Sequence, residues 1–263
     1  MSRYLNVGCG GHFHKDWVNV DFNSYSSHVI AHNLLKGIPF NDNEFAVVYH
    51  SHVLEHFYKK DTEFFTKECC RVLKSGGILR ICVPDLENLV RTYLNCLERC
   101  LNGDENAYAD YEWIMQELYD QSVRISPGGG MFELFRQGIP NEDFVRSRLG
   151  SEVDSIKHAC QNQIAPKPPK KHKLKYWKNK LREWLLKDDL KHLETGKFRA
   201  GGEIHNWMYD RFSLRLLLEN CGFKEVSFKN YNDSSIENWN LYGLDMLDEQ
   251  ERRPNSLYAE AVK

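Results

Sequence analysis

Residues 4–21, YLNVGCGGHFHKDWVNVD, constrain the fold more than any other stretch of this chain. A short apolar run stops at Gly8-x-Gly10-Gly11, and a second apolar run ends on the carboxylate of Asp21. Glycines in such a turn take left-handed conformations and let the backbone approach a ligand closely. An acid at the end of the following strand is placed to accept hydrogen bonds from ribose hydroxyls. Both features belong at the carboxyl edge of a parallel sheet and suit a nucleoside-bearing cofactor. A dinucleotide fingerprint needs a third glycine, Gly-x-Gly-x-x-Gly, and Phe13 stands there instead. The pattern disfavours a bound pyrophosphate and favours a cofactor without phosphates.

The rest of the chain fits that sheet. Strands are predicted over 4–7, 17–20, 29–31, 45–50 and 78–83. Between the last two, Phe64, Phe65, Cys69, Val72 and Leu73 recur at helical spacing behind a capping Asp61, with Gly76-Gly77 as the stop. Short apolar strands separated by helices imply an α/β fold, a doubly wound and mostly parallel sheet. Only residues 8–18 separate the first two strands, too few for a crossover helix, so a loop or a very short helix is expected there. Residues 86–202 read as a helical insertion, or lid, between core segments 1–85 and 203–263. Helical patterns run over 86–101, 108–119 and 141–160, the last capped by Asn141, and the glycine run after Pro127 interrupts them. Late in the chain, Ser213 is expected to cap a helix over 214–221 that Gly222 ends. Strands 224–228 and 257–262 then close a seven-stranded sheet with a hairpin at its edge.

Composition narrows the functional classes. The formal net charge of the 263 residues is -2, which gives no electrostatic case for a nucleic-acid partner. No apolar run approaches the roughly 20 residues of a membrane span, and a strand beginning almost at Met1 leaves no room for a signal peptide. The eight cysteines form no Cys-x-x-Cys pair and read as buried thiols of a reducing, cytoplasmic setting. A basic tract runs from Lys167 to Arg182, with Trp177, Leu181, Trp184 and Leu185 at helical spacing. It reads first as a solvated lid helix docking its apolar stripe, and second as a contact for an anionic substrate or a membrane surface.

The sequence resembles the class I S-adenosylmethionine-dependent methyltransferases, in the branch with LNVGCG and HxLEH motifs (methyltransferase type 11-like). The residues that carry this are Val7-Gly8-Cys9-Gly10, Asp21, Leu54-Glu55-His56, Arg71-Val72-Leu73-Lys74-Ser75-Gly76-Gly77 and Val83-Pro84-Asp85. They lie in the first third of the chain, with a weaker match at 217–223. The resemblance implies a Rossmann-like core, S-adenosylmethionine as cofactor and S-adenosylhomocysteine as product. It implies that Gly8, Cys9, Gly10 and Gly11 cradle the methionine portion, with Asn6, Ser51 and His52 beside them. Asp21 would hold the ribose, and Asn33 with Leu34 would meet the adenine. Members often carry an acid where Asn6 stands, Asp where Asn33 stands, and glycine where His12 stands.

Methyl transfer requires the acceptor atom in line with the carbon–sulfur bond that breaks, so positioning can supply much of the rate. A hydroxyl acceptor also calls for a general base, for which histidine is the natural candidate. His205 and His52 are the leading catalytic candidates, followed by Tyr209 and Asp85, and Trp207 or Tyr209 could stack on a sugar. A sugar hydroxyl or other small-molecule acceptor is expected. The alternatives are N-methylation of a small molecule or peptide, or a non-catalytic cofactor-binding module. His52 and His56 flank Glu55 at helical spacing, but His-Glu-x-x-His is absent and spacing offers no third ligand, so no metal is assigned.

Overall fold

The first apolar run becomes the middle of a sheet. In the computed structural model, which describes residues 3–24, 26–162 and 187–263, β1 (Tyr4–Val7) lies parallel to both β2 (Val18–Asp21) and β4 (Phe45–Ser51). β3 (Val29–Ala31) extends the sheet beyond β2, and β5 (Leu73–Pro84) extends it beyond β4, both parallel. The carboxy-terminal strand β9 (Ser256–Val262) inserts antiparallel between β5 and the edge strand β6 (Lys224–Lys229). The order is β3-β2-β1-β4-β5-β9-β6, with a separate two-stranded hairpin of β7 (Met246–Leu247) and β8 (Gln250–Glu251). This is the Rossmann-like methyltransferase fold. Strand order reverses beside β1, and in such sheets the crevice for ligands opens there, beyond the carboxyl ends of β1 and β4.

Alternation along the strands sorts the side chains into two layers. Leu5, Val7, Val48, Leu79 and Ile81 join Phe65, Cys69 and Val72 of α1 (Lys59–Val72) and Leu214 and Leu218 in the main core. On the other face Val47 and Tyr49 pack with Trp17, Ile236 and Trp239. A charged group is built into this layer. Arg80 is fully buried, pairs with Asp245 and Glu260 at 2.8 Å each, and donates to the carbonyls of Asn230, Tyr231 and Asp233.

Residues 8–17 contain no helix, as their number requires. Several boundaries differ from the sequence reading. Asp61 lies in the first turn of α1 and does not cap it. That helix passes at Leu73 directly into β5, so Gly76 and Gly77 stand inside a strand. From Phe45↔Leu73 to Val47↔Ile78 the register advances two residues on β4 and five on β5, and Gly76, at φ +72°, lies in that excess.

Helices α2 (Leu86–Leu101), α3 (Tyr108–Val123) and α4 (Gly129–Gln137) follow. The single helix expected over 141–160 is two, α5 (Glu142–Leu149) and α6 (Glu152–Asn162), because Gly150 turns left-handed at φ +58°. Asn141 forms no cap; its amide donates to Asp110 at 2.9 Å. After α7 (Lys187–Arg199), helix α8 (Arg211–Asn220) is capped by Asp210, with Ser213 as the reciprocal member of a capping box. Trp113, Met131, Phe135, Val145, Leu149 and Val153 give the helices after β5 a core of their own. The basic tract and its apolar stripe lie outside the described residues. All eight cysteines are free, and among the described residues no helix is long and apolar enough to cross a membrane.

Candidate cofactor and acceptor site

The turn after β1 is held by its neighbours. Gly8 and Gly10 sit at φ +67° and +54°, and the N–H groups of Gly8 and Cys9 both donate to the carbonyl of Val20, at 2.8 and 3.2 Å. The face of Gly8 where a Cβ would stand is filled by the methyl groups of Val53. Gly10 N–H donates to Asp21 Oδ2 at 2.8 Å, so the turn and the strand-end acid form one unit. Nothing lies where a Cβ of Gly10 or Gly11 would point.

This turn forms one wall of a cavity of about 440 Å³, with Asn6, Cys9 and Ser51 beside it. Asn6 is 1 % exposed, and its amide nitrogen has no hydrogen-bond partner. A buried donor at a cavity wall is a group that a polar ligand satisfies. The residues present therefore fit the amino-acid end of S-adenosylmethionine. Asp21, Asn33 and Leu34 do not line the cavity. Asp21 is partly exposed at the end of β2, Asn33 spends its side-chain oxygen on the N–H of Leu35 at 3.0 Å, and Leu34 packs on the main core.

The opposite walls come from several separate segments. One is the turn after β4. His52, at φ +54°, donates its backbone N–H to Cys82, its Nε2 lies 2.9 Å from Ser256 Oγ, and a 3-10 turn follows at Leu54–His56. The second is the run before α8, which crosses the carboxyl ends of β4 and β5. Asn206 and Trp207 donate to the carbonyl of Glu55 at 2.7 and 3.2 Å, Asn206 Nδ2 donates to the carbonyl of His56, and Leu86 N–H donates to Tyr209. This places His205, 8 % exposed, at the cavity beside His56. Asp85 also lines it, as the cap of α2, accepting from Asn88 N–H at 3.1 Å.

The third segment was not singled out from sequence. Arg252 and Arg253 follow β8 into the cavity, and Glu117, Gln121, Arg124 and Glu152 approach from α3 and α6. In sequence 248–253 is an ordinary charge run; only the hairpin and β9 turn it inward. Tyr209 is buried in the main core and does not line the cavity, and neither does Trp207, whose ring carries the Lys59 ammonium at 4.0 Å.

Burial sets the ionisation of the centre. Glu55 is fully buried, its pKa is pushed up to about 8, and neither carboxyl oxygen has a hydrogen-bond partner, although His52 Nδ1 lies 3.1 Å from one. Desolvation pushes His205 down to about 3 and holds His52 and His56 below the usual imidazole range. At neutral pH these rings are uncharged. His205 is thus a far weaker base than one matched to neutral pH. Burial also pushes the Cys9 thiol up to about 12, keeping it protonated.

Residues 5–81 match the family model of a methyltransferase domain. No curated protein sequence matches the chain. Among solved structures, an S-adenosylmethionine-dependent methyltransferase from Archaeoglobus fulgidus is 12 % identical, with a TM-score of 0.40 over 100 % of this chain and 86 % of that one. A Haemonchus contortus phosphoethanolamine N-methyltransferase, solved with S-adenosylmethionine, is 10 % identical, with a TM-score of 0.37 over 100 % of this chain and 48 % of that one. These likenesses are distant, and the assignment rests on the family match. By that match residues 5–81 are similar to methyltransferase domains, and the sheet order of the chain is that of the Rossmann-like methyltransferase fold.

Proposed function

We propose that this enzyme methylates a small hydroxylated acceptor, a sugar or a sugar-like molecule, on oxygen. The observation that carries this reading is the character of the walls facing the glycine turn. Arg124, Arg252, Arg253, Glu117, Glu152 and Glu203 outnumber the apolar contributions of Pro84, Leu89, Leu149 and Met208. Walls of that kind match a polyhydroxylated molecule and leave an apolar one with unpaired polar groups around it. No salt bridge closes on Arg252 among the described residues, and burial holds its pKa below the ordinary guanidinium value, so an acidic group on the acceptor would find a partner there.

When bound, S-adenosylmethionine supplies a methyl group made electrophilic by its sulfonium sulfur. Asn6 and the Gly8–Gly11 turn hold its amino-acid end. Asp21 keeps lone pairs for the ribose hydroxyls while steadying Gly10. Asn33 and Leu34 border the adenine position, with Asn33 acting as a loop brace. On the acceptor side, His52 and His205 present uncharged rings and Asp85 presents a carboxyl whose pKa burial raises. Their work is to border the acceptor and hold its oxygen in line, because proximity and alignment supply much of the rate in such a displacement.

Transfer of radiolabelled methyl to a panel of sugars, nucleotide sugars, hydroxy acids and amines tests the reading. Label on oxygen of a hydroxylated acceptor is expected. Label confined to amines would overturn O-methylation in favour of N-methylation. Cofactor binding with no acceptor methylated would favour a binding module.

A further inference from the structure

We infer that Glu55, His56 and His205 form a binding site for a divalent first-row transition metal at the floor of the acceptor cavity. One donor atom from each of the three lies within 4.8 Å of the others. The sequence shows only two of these residues together. The third arrives through backbone pairing, because the hydrogen bonds of Asn206 and Trp207 to Glu55 dock residue 205 against the turn.

Each donor is free to bind. His56 Nδ1 lies 3.0 Å from the carbonyl of Ile204 and must donate to it, which leaves Nε2 as a lone pair. Such a bond from the far ring nitrogen is the usual way a protein orients a histidine toward a metal. No side-chain hydrogen bond engages the His205 ring among the described residues, and its Nε2 stands 3.9 Å from Glu55 Oε1. Neither Glu55 oxygen has a hydrogen-bond partner although the residue is 0 % exposed, and His52 Nδ1 lies 3.1 Å from Oε1. A buried carboxyl with no hydrogen bond is an expensive arrangement in a folded protein. A cation bonded to Glu55 would give its oxygens a partner.

Two imidazoles and one carboxylate suit zinc, cobalt, iron or manganese rather than calcium or magnesium. Donors around such an ion stand about 3–3.4 Å apart when bonds are about 2.0–2.1 Å, so the trio closes by roughly an ångström, within reach of side-chain rotation. His56 and His205 line the cavity, so the open positions of the ion face the acceptor. Given the reading of that cavity as the acceptor site, the ion would bind acceptor oxygens and make a hydroxyl more acidic.

The test uses the full chain, stripped with chelator, dialysed and titrated with Co²⁺ while visible absorption is recorded. One Co²⁺ per chain, displaced by Zn²⁺, is expected, with a thermal midpoint that rises on metal addition and falls back on chelation. Glu55→Gln and His205→Ala should each weaken Co²⁺ binding by about tenfold or more, while S-adenosylhomocysteine affinity stays within about twofold of the wild type. Absence of Co²⁺ absorption at millimolar metal would overturn the site, as would binding that neither variant changes. Should a variant misfold by circular dichroism, wild-type stoichiometry and the chelator-reversible midpoint decide alone. Loss of S-adenosylhomocysteine binding by the wild type would remove the methyltransferase reading and leave the metal result standing.

Discussion

Replacing Gly8 by alanine should damage the fold and the turn in two separable ways. At φ +67° an alanine takes a left-handed conformation that costs about 1–2 kcal/mol. Its Cβ would also overlap a methyl group of Val53, which is 8 % exposed and belongs to the main core. Forcing an extra methyl into a packed contact costs about 1–3 kcal/mol. The total is about 2–5 kcal/mol, a large share of a typical domain's stability. Val53→Ala removes the obstructing methyls and by itself should cost about 1.5–3 kcal/mol. The double variant should be more stable than the sum of the two losses by about 1–3 kcal/mol, the overlap term, with the conformational term remaining. Urea unfolding of the four proteins, analysed at constant m, measures the coupling. Additivity within about 0.5 kcal/mol would refute the idea that Val53 is why residue 8 must be glycine.

Three further outcomes are expected. Arg80→Met leaves Asp245 and Glu260 buried without their cation and should destabilise the protein by about 3–5 kcal/mol in urea unfolding; a loss under 1 kcal/mol would contradict the buried pairing. His50 is fully buried with its pKa held down to about 3 by desolvation. The unfolded chain, with an imidazole near 6.5, therefore takes up the proton first as pH falls, and stability attributable to this residue drops by about 2 kcal/mol between pH 7 and 5. His50→Leu should remove that part of the acid sensitivity, and an unchanged difference in unfolding free energy between the two pH values would rule it out. Asp21→Ala should weaken S-adenosylhomocysteine binding by about 1.5–3 kcal/mol, the size of a charge-assisted hydrogen bond. Unchanged affinity in calorimetry would take Asp21 out of the ribose site.

The sheet was legible because its strands are short, apolar and punctuated. Residues 4–7 and 29–31 were read to the residue, and the eleven positions from Gly8 to Val18 left no room for a helix. Boundaries failed where tertiary structure overrode a local stop. Gly76 and Gly77 end a helix in many contexts, but here they serve a register shift between β4 and β5 that only the neighbouring strand reveals. Gly150 broke one expected helix into two, and Asp210 took the cap assigned to Ser213 because the helix begins at Arg211 and Ser213 is the N3 member of its capping box. The turn and Asp21 were legible as a unit, and their 2.8 Å bond shows why. The acceptor side was not, because Arg252 and Arg253 enter the cavity through the β7–β8 hairpin and look like surface charge in one dimension. Glu55 stood in a recognised motif, yet its lack of a hydrogen-bond partner is a property of burial and cannot be read from spacing.

The most direct measurement is isothermal calorimetry of the purified full chain with S-adenosylhomocysteine. A crevice built by Gly8, Gly10 and Asn6 at the carboxyl ends of β1 and β4 predicts saturable heat with one ligand per chain. A flat titration at high ligand concentration, from protein shown to be folded, would contradict it.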